Sequence, residues 1–380
     1  LRSIKMTYKY RGTQPSGLNG GGGSAEADNQ PDWVIAFANG TGGPGVYAYA
    51  SNSDRTSWTT ADYITSNRNA TNIVAVGKNA AGNGIFVVGQ KMTSPSNTHE
   101  LAVSGDDITD GNTWTEVSLV GVANNGNTVQ RLLWSADSSS STAGVWLAGS
   151  NSGKVFRSTD GAANWTELTT GAGNLPGTWG SGDVIGMTAN GSGRWVMAQG
   201  TRLFNSTDNG ANFTEISHGI SNVSKFLGVI YTNNSYVVVY DRDDDNEVYL
   251  RSAADSDLTT WSSEINFNGI QEPGLAGQIE NVRLAANSSG RVVFVSPDRT
   301  AVGFVDVNGT TTSNNTVVSS AVTAARDIST DGQGNWLVVC EAGDIFESTN
   351  DGASWSKIVD NVPSANCNIN CIASNYYLPL

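Results

Sequence analysis

The sequence predicts an all-β protein, a single seven-bladed β-propeller of four-stranded blades that is closed by its C-terminal strand and preceded by an extended N-terminal arm. Its 380 residues include 44 glycines but only 15% charged residues, a composition typical of short strands joined by polar turns. A Ser-Asp-Gly-Trp phrase and a set of short apolar runs both recur roughly every 50 residues, which is the size of a propeller blade.

The repeated phrase is a polar turn that ends in an aromatic residue. Its clearest copies are "STDNGANF" and "STNDGASW". The spacing of the aromatic residues leaves one copy missing near residue 309, within "VDVNGTTTSNN", so the period indicates seven units. The copies stand at 51–58, 104–114, 158–165, 206–213, 252–261 and 348–355.

The apolar runs have the same period as the phrase. They are "WVIA" (33–36), "IFVV" (85–88), "VWLA" (145–148), "RWVM" (194–197), "YVVV" (236–239), "VVFV" (292–295) and "WLVV" (336–339). Most follow a strand that ends in a Gly/Ser/Asn turn, as in "VIGMTANGSG", and precede a short strand, the phrase and a last strand such as "WTELT". Four strands per repeat, without helical periodicity, predict propeller blades.

The two chain ends are predicted to share one blade. The first unit, at 32–62, begins at its second strand and lacks the strand that precedes it elsewhere. The sequence "NINCIASN", at 368–375, has the pattern of that missing inner strand. We therefore expect the C-terminal strand to complete blade 1, because a closed ring leaves no unpaired inner edge. The predicted domains are an arm at 1–31 and a propeller at 32–380.

The phrase Ser-x-Asp-x-Gly-x-x-Trp resembles the Asp-box, or BNR repeat, of sialidase-like propellers, over residues 32–375. Asn350 departs from the pattern by replacing Asp, and Gly161 by standing one place early. Ser and Asp oxygens are expected to accept turn amides, Gly210 and Gly352 to adopt angles that side chains disfavour, and the aromatic residue to pack beneath the turn. The resemblance implies a structural hairpin on the rim away from ligands. The matching residues are Ser158, Asp160, Trp165, Ser206, Asp208, Gly210, Phe213, Ser348, Asn350, Gly352 and Trp355.

The resemblance places ligands on the opposite face, which is built from the loops between blades and between second and third strands. The longer candidate loops are 90–100, 169–183 and 265–281. Trp179 lies outside every copy of the phrase, and it is a candidate for stacking on a sugar ring or on a partner protein. The alternative is that Trp179 caps a neighbouring blade.

The acidic stretch "DRDDDNE" supplies candidate metal ligands. Asp241, Asp243, Asp245 and Glu247 alternate as oxygen ligands do in calcium loops. The Gly and the final Glu of an EF-hand are absent, so the alternative is a solvated acidic hairpin tip. We expect no cofactor.

A sialidase-like glycoside hydrolase is the first alternative function. That resemblance implies three arginines and a tyrosine paired with a glutamate, but the early Arg-Ile-Pro motif is missing and Arg55 lies inside a copy of the phrase. No pair of carboxylates of the kind that most glycosidases use can be located. His99 and His218 lie in different units and are expected in surface loops. No catalytic residue is therefore predicted, and the chain is expected not to be an enzyme.

Charge, apolar content and cysteine content exclude several classes of partner and structure. A net charge of −14, with 21 Lys and Arg, disfavours nucleic acid, which binds clustered cations. No apolar stretch is long enough for membrane insertion. Cys340, Cys367 and Cys371 are too few for a disulfide framework and are interpreted as small buried apolar residues.

The N-terminal segment suggests contact with other subunits. "LRSIKMTYKYRG" is basic, and a Gly/Ser-rich tether at 13–30 follows it. The alternative is a disordered tail. The Gly/Asn/Ser/Thr-rich composition resembles that of virion proteins, particularly phage decoration, collar or tail-fibre components, and indicates a non-enzymatic attachment module in a virion or outside the cell. Protein subunits, contacted through residues 1–31, and a surface glycan are the expected partners. A second alternative is an assembly-factor propeller.

Overall fold

A computed structural model describes residues 31–38, 45–64, 71–90, 100–105, 108, 114–119, 128–136, 143–243, 248–266, 282–295, 301–319, 322, 325–362 and 368–375. These residues form strands β1 to β28, which pair into seven antiparallel four-stranded sheets. The predicted all-β, seven-bladed propeller is therefore confirmed. None of the described residues belongs to a helix with the length and apolarity that a membrane crossing requires.

The four strands of each blade follow one another from the axis of the ring to its rim. Blade 1 contains β28 (Asn368–Ser374), β1 (Trp33–Ala38), β2 (Gly45–Ser51) and β3 (Asp54–Ile64), and blade 2 contains β4 (Thr71–Lys78), β5 (Gly84–Gln90), β6 (Leu101–Val103) and β7 (Thr115–Val117). Blade 3 contains β8 (Val129–Ser135), β9 (Val145–Ser150), β10 (Val155–Ser158) and β11 (Thr166–Leu168), and blade 4 contains β12 (Val184–Ala189), β13 (Trp195–Gln199), β14 (Arg202–Ser206) and β15 (Thr214–Glu215). Blade 5 contains β16 (Val223–Thr232), β17 (Ser235–Arg242), β18 (Val248–Ala254) and β19 (Ile265–Asn266). Blade 6 contains β20 (Arg283–Ala286), β21 (Arg291–Val295), β22 (Ala301–Asn308) and β23 (Thr311–Ser319), and blade 7 contains β24 (Ala325–Thr330), β25 (Trp336–Cys340), β26 (Ile345–Ser348) and β27 (Ser356–Val359).

The second strand of each blade forms the core. Every side chain of β9, β13 and β25 is buried, because each blade is covered on both faces by its neighbours. This explains why these strands read as continuous apolar runs and not as alternating ones. Trp146, at the start of β9, is fully buried and donates its indole N–H to the carbonyl of Lys78 in blade 2 at 3.0 Å.

The C-terminal strand closes the ring, as the sequence predicts. Strand β28 pairs antiparallel with β1, with Ile35 opposite Ile372 and Trp33 opposite Ser374. The Ser374 amide also donates to Ser329 Oγ of blade 7 at 3.1 Å. On the outer strands, Arg55 of blade 1 forms an ion pair with Glu347 of blade 7. Hydrogen bonds and charge therefore both join the last blade to the first.

The inner strands surround an axial channel. They contact one another in the cyclic order β28, β4, β8, β12, β16, β20, β24 and enclose a cavity of about 300 Å³. Strand direction places the blade-to-blade connections and the turns between second and third strands on one face, which we call the loop face. The turns between third and fourth strands lie on the other, which we call the box face.

Candidate functional site

The box hairpins at 158–165, 206–213 and 348–355 are held by their own polar side chains. In blade 4, Ser206 Oγ accepts the amide of Gly210 at 3.0 Å and donates to Asp208 Oδ1 at 2.7 Å. Asp208 in turn accepts the amide of Asn212 at 2.9 Å. The same pattern of bonds links Ser158 to Ala162, Asp160 to Asn164, Ser348 to Gly352 and Asn350 to Ser354. These oxygens satisfy turn amides that no strand pairing reaches.

The aromatic residue locks each hairpin from beneath. Trp165 donates its indole N–H to the carbonyl of Ala162, three residues earlier, at 2.9 Å, and Trp355 donates to Gly352 at 3.1 Å. Trp165 is 9% exposed and Phe213 3% exposed. The aromatic residues therefore pack between the hairpin and the core.

The early position of Gly161 has a steric cause. Each box hairpin has two consecutive residues with positive φ, and in blade 3 these are Gly161 (φ 72°) and Ala162 (φ 67°). A Cβ on Gly161 would lie 2.2 Å from the amide nitrogen of Ala80 in blade 2. Because two backbones meet there, only glycine fits, whereas alanine is accommodated at the next position.

The loose copies of the phrase in blades 1 and 5 form a shorter hydrogen-bonded turn. Asp54 Oδ1 accepts the amide of Thr56 at 3.0 Å, and Trp58 donates to the carbonyl of Arg55 at 2.9 Å. The corresponding residues in blade 5 are Asp257, Thr259, Trp261 and Leu258. Near residue 309, Asn308 pairs directly with Thr311 across a two-residue turn with Gly309 at φ 60°. A tight hairpin thus replaces the missing copy.

The charge state of the box carboxylates is that of a structural group. Desolvation acts to raise the pKa of Asp208, but hydrogen bonds from Ser206, Asn212 and Ala211 outweigh it, and the net pKa lies below the usual 3.8. The pKa of Asp160 is also lowered, because hydrogen bonds from Asn164 and Ser158 outweigh desolvation. General acid catalysis at neutral pH requires a raised carboxyl pKa, so these groups are suited to holding turns.

Trp179 contacts two blades. Its indole N–H donates to the carbonyl of Gly153 in blade 3 at 2.7 Å, and its ring lies 4.6 Å, centroid to centroid, from Phe204 of blade 4. In the same loop, the carbonyl of Asn174 accepts the amide of Phe213 at 2.8 Å. Loop 169–183 therefore joins blades 3 and 4, and Trp179 takes the blade-capping role.

The structure describes only part of the other candidate loops. Asp241 lies in β17, and the amide of the exposed Asp243 donates to the carbonyl of Asn222 at 3.0 Å. Asp245 and Glu247 lie outside the described residues, as do His99, Cys367 and most of the loops at 90–100 and 265–281. Among the residues that are described, no group of three His, Cys, Asp or Glu side chains is placed to hold a metal ion.

The described histidine and cysteines have structural surroundings. His218 Nδ1 accepts the amide of Ile220 at 3.1 Å, its Nε2 lies 3.2 Å from the carbonyl of Thr201, and desolvation lowers its pKa. Cys340 and Cys371 are buried free thiols, as expected. Desolvation raises the pKa of Cys340 to about 12 and raises that of Cys371 as well, so neither thiol is activated as a nucleophile.

Blade 5 contains a tyrosine–glutamate pair that no repeated sequence pattern marks. Tyr240 donates its hydroxyl to Glu264, Arg242 lies 3.2 Å from the same carboxylate, and Arg251 donates to the Tyr240 oxygen at 3.0 Å. Tyr240 is 0% exposed, and its pKa is raised, first by desolvation and then by Glu264. A glycosidase nucleophile must reach the sugar and be activated, whereas Tyr240 lies in a buried cluster that also contains Val196 and Leu203 of blade 4.

Three charged side chains line the axial channel near the loop face, and none was singled out in the sequence. They are Arg131 of β8, Arg283 of β20 and Asp327 of β24. They occupy equivalent positions on their inner strands, opposite Gly149, Val295 and Val339. Because the three strands are far apart in the chain, closure of the ring is what brings them together. The remaining channel lining is apolar or carries hydroxyl groups.

Solved propellers resemble this ring. The WD40 domain of coronin from Toxoplasma gondii is similar with a TM-score of 0.55 and 10% identity, over 88% of this chain and 82% of that one. A chain of the mitotic checkpoint complex has a TM-score of 0.54 and 10% identity, over 95% and 92%. YCF48 from Cyanidioschyzon merolae has a TM-score of 0.49 and 14% identity, over 79% and 88%. No protein-family model and no curated protein matches the sequence. The first two likenesses establish this chain as a β-propeller.

Proposed function

We propose that this chain is a non-enzymatic display propeller that presents its loop face to protein partners in a larger assembly, or to a surface glycan. The assembly we propose is a virus particle, in which the chain is a decoration, collar or tail-fibre component. One observation carries the proposal: outside the axial channel, the described side chains that most resemble binding or catalytic groups bond to other groups of the ring. The Ser and Asp of the box hairpins, Trp179, and the Tyr240–Glu264 pair all bond internally.

Internal bonding of this kind supports a scaffold role. Polar networks whose members are satisfied make a fold rigid, and a rigid ring holds its loops in a constant arrangement for a partner. The chain is also acidic overall, with a net charge of −14, which favours solubility while it is unassembled. The virion setting rests on the Gly/Asn/Ser/Thr-rich composition and on the basic arm.

We propose that the arm at 1–31 makes the contact with a neighbouring subunit. Its cations, Arg2, Lys5, Lys9 and Arg11, precede a Gly-rich tether, and the acidic surface of another copy or subunit is a complementary target. A tether places the arm near its target at high effective concentration.

Hydrogen exchange on the free chain and on the assembled particle tests this role. We expect the amides of residues 1–15 to gain protection only in the assembly. Replacing the four arm cations with serine should reduce incorporation into particles, whereas a chain with residues 1–12 in shuffled order keeps the charge and serves as the control. Protection of 1–15 in the free monomer would contradict the proposal. So would turnover of sialosides or xyloglucan, which would favour the hydrolase alternative.

A further inference from the structure

The axial channel has hydrogen-bond donors that the described protein groups do not use. Each guanidinium carries five N–H donors. Arg131 donates from Nη1 to the carbonyl of Gln130 at 2.7 Å, and within the described part of the chain Arg283 has no hydrogen bond or ion pair closer than 4 Å. Both side chains keep accessible surface along the channel and are surrounded by strands elsewhere. The two arginines therefore bring to the channel lining N–H donors that no hydrogen bond within the described residues uses.

The neighbouring carboxylate is already satisfied by the backbone. Asp327 Oδ2 accepts the amide of Ile372, in the strand that closes the ring, at 3.0 Å. Its carboxylate faces two guanidinium groups, and burial raises its pKa. Desolvation lowers the pKa of Arg131, and repulsion by Arg283 lowers it further. Asp327 and Asp183 oppose this lowering, and an anion between the two arginines would offset their mutual repulsion, since arginine stays protonated in proteins.

The apolar lining and the volume of the channel determine which kind of molecule could carry this anionic group. Ile185, Ile230 and Leu284 line the wall beside the arginines, and burying an apolar group against them is favourable. A volume of about 300 Å³ lies at the lower end for small-molecule sites, so a compact molecule fits and a folded segment does not.

We propose that the axial channel is a binding site for a small organic acid, whose single carboxylate is held by Arg131 and Arg283 and whose apolar body lies against the inner strands. The planar guanidinium fork matches a carboxylate with two parallel hydrogen bonds. Asp327 sets the preference for a singly charged group, because a dianion would bring more negative charge beside it than the arginines offset.

Calorimetric titration of the full chain, at a pH above the second pKa of phosphate, tests the site, with hexanoate as the probe, hexanamide as its neutral analogue and inorganic phosphate as a dianion. We expect hexanoate alone to bind. Arg283→Gln and Arg131→Gln should each weaken binding about tenfold to a hundredfold, the usual effect of removing a hydrogen bond to a charged group. Arg283→Lys keeps the charge but loses the fork, and it should fall between the parent and Arg283→Gln.

Two further variants separate the channel from general charge effects. Arg326→Gln removes a cation from the neighbouring position on β24, where Arg326 pairs with Glu341 at 2.7 Å and does not line the channel, and it should leave the affinity unchanged. Asp327→Asn keeps an acceptor for Ile372 and should allow phosphate to bind. Equal binding of hexanoate and hexanamide, no binding of hexanoate, or an unchanged affinity in both Arg283 variants would overturn the proposal.

Discussion

The box hairpins of blades 4 and 7 form the same turn with different side chains. In blade 4, Asp208 Oδ2 accepts a hydrogen bond from the Asn212 side-chain amide at 2.7 Å. In blade 7 the roles are reversed, since the Asn350 side-chain amide donates to Ser354 Oγ at 2.8 Å. The residue at the Asp position and the residue four places later therefore form a matched pair of donor and acceptor.

This matching predicts coupling between the two positions. Asp208→Asn places two amide groups opposite each other and should destabilise the protein by about 1 kcal/mol. The same change in an Asn212→Ser background recreates the blade 7 pair and should cost less than half as much. Urea unfolding of the four variants gives the interaction free energy, and additive effects would contradict the pairing.

The same substitution has a pH signature. The folded pKa of Asp208 lies below 3.8, so its stabilising contribution is complete above the unfolded pKa and is lost as the pH falls through the folded pKa. The melting temperature of Asp208→Asn should therefore fall less between pH 5 and pH 2.5 than that of the parent. An identical pH dependence in the two proteins would show that Asp208 is not held in its ionised form.

At the scale of elements, neighbouring blades are joined by close backbone contacts on the box face. The hairpin of blade 3 meets the 79–80 turn of blade 2 at Gly161. In addition, Arg157 of blade 3 donates to the carbonyl of Asn209 in the blade 4 hairpin at 3.0 Å. A box hairpin thus stabilises the junction with the adjacent blade as well as its own turn.

Two glycines allow the stability cost of a left-handed backbone angle to be measured separately from the cost of crowding the contact between blades. Gly161 (φ 72°) faces the blade 2 turn, whereas Gly173 (φ 79°) has no atom within 4 Å of a built Cβ. Gly173→Ala should cost about 1–2 kcal/mol, for the left-handed angle alone. Gly161→Ala should cost a further 1–3 kcal/mol or more, because the blades must separate. If Gly161→Ala and Gly173→Ala reduced the free energy of unfolding equally, the contact between blades 2 and 3 at Gly161 would not be the constraint that requires glycine.

For the whole molecule, stability depends on closure. Strand β28 is the inner strand of blade 1, and it also contacts β24 and β4 on either side. Removing it would leave the edge of β1 unpaired and open the channel wall between blades 7 and 2. An exposed edge of this kind promotes association between chains.

Deletion of residues 368–380 should therefore abolish the single cooperative thermal transition and cause aggregation. Deletion of 376–380 alone, beyond β28, is the control and should preserve the transition. Differential scanning calorimetry and size-exclusion chromatography distinguish these results. A soluble chain that melts cooperatively without β28 would mean that another segment supplies the inner strand.

The sequence by itself determined the architecture of this protein. The number of blades, the four strands in each, the turn chemistry of Ser206 and Asp208 and the C-terminal closure all follow from patterns that repeat along the chain, because each blade is a local unit with the same packing requirements. The tertiary structure alone decided the features that do not repeat. The contact at Gly161 and the burial of Tyr240 in a cluster shared with blade 4 depend on how neighbouring blades pack. The meeting of Arg131, Arg283 and Asp327 depends on closure of the ring, because their blades are distant in the chain. A pattern within one blade does not encode these contacts.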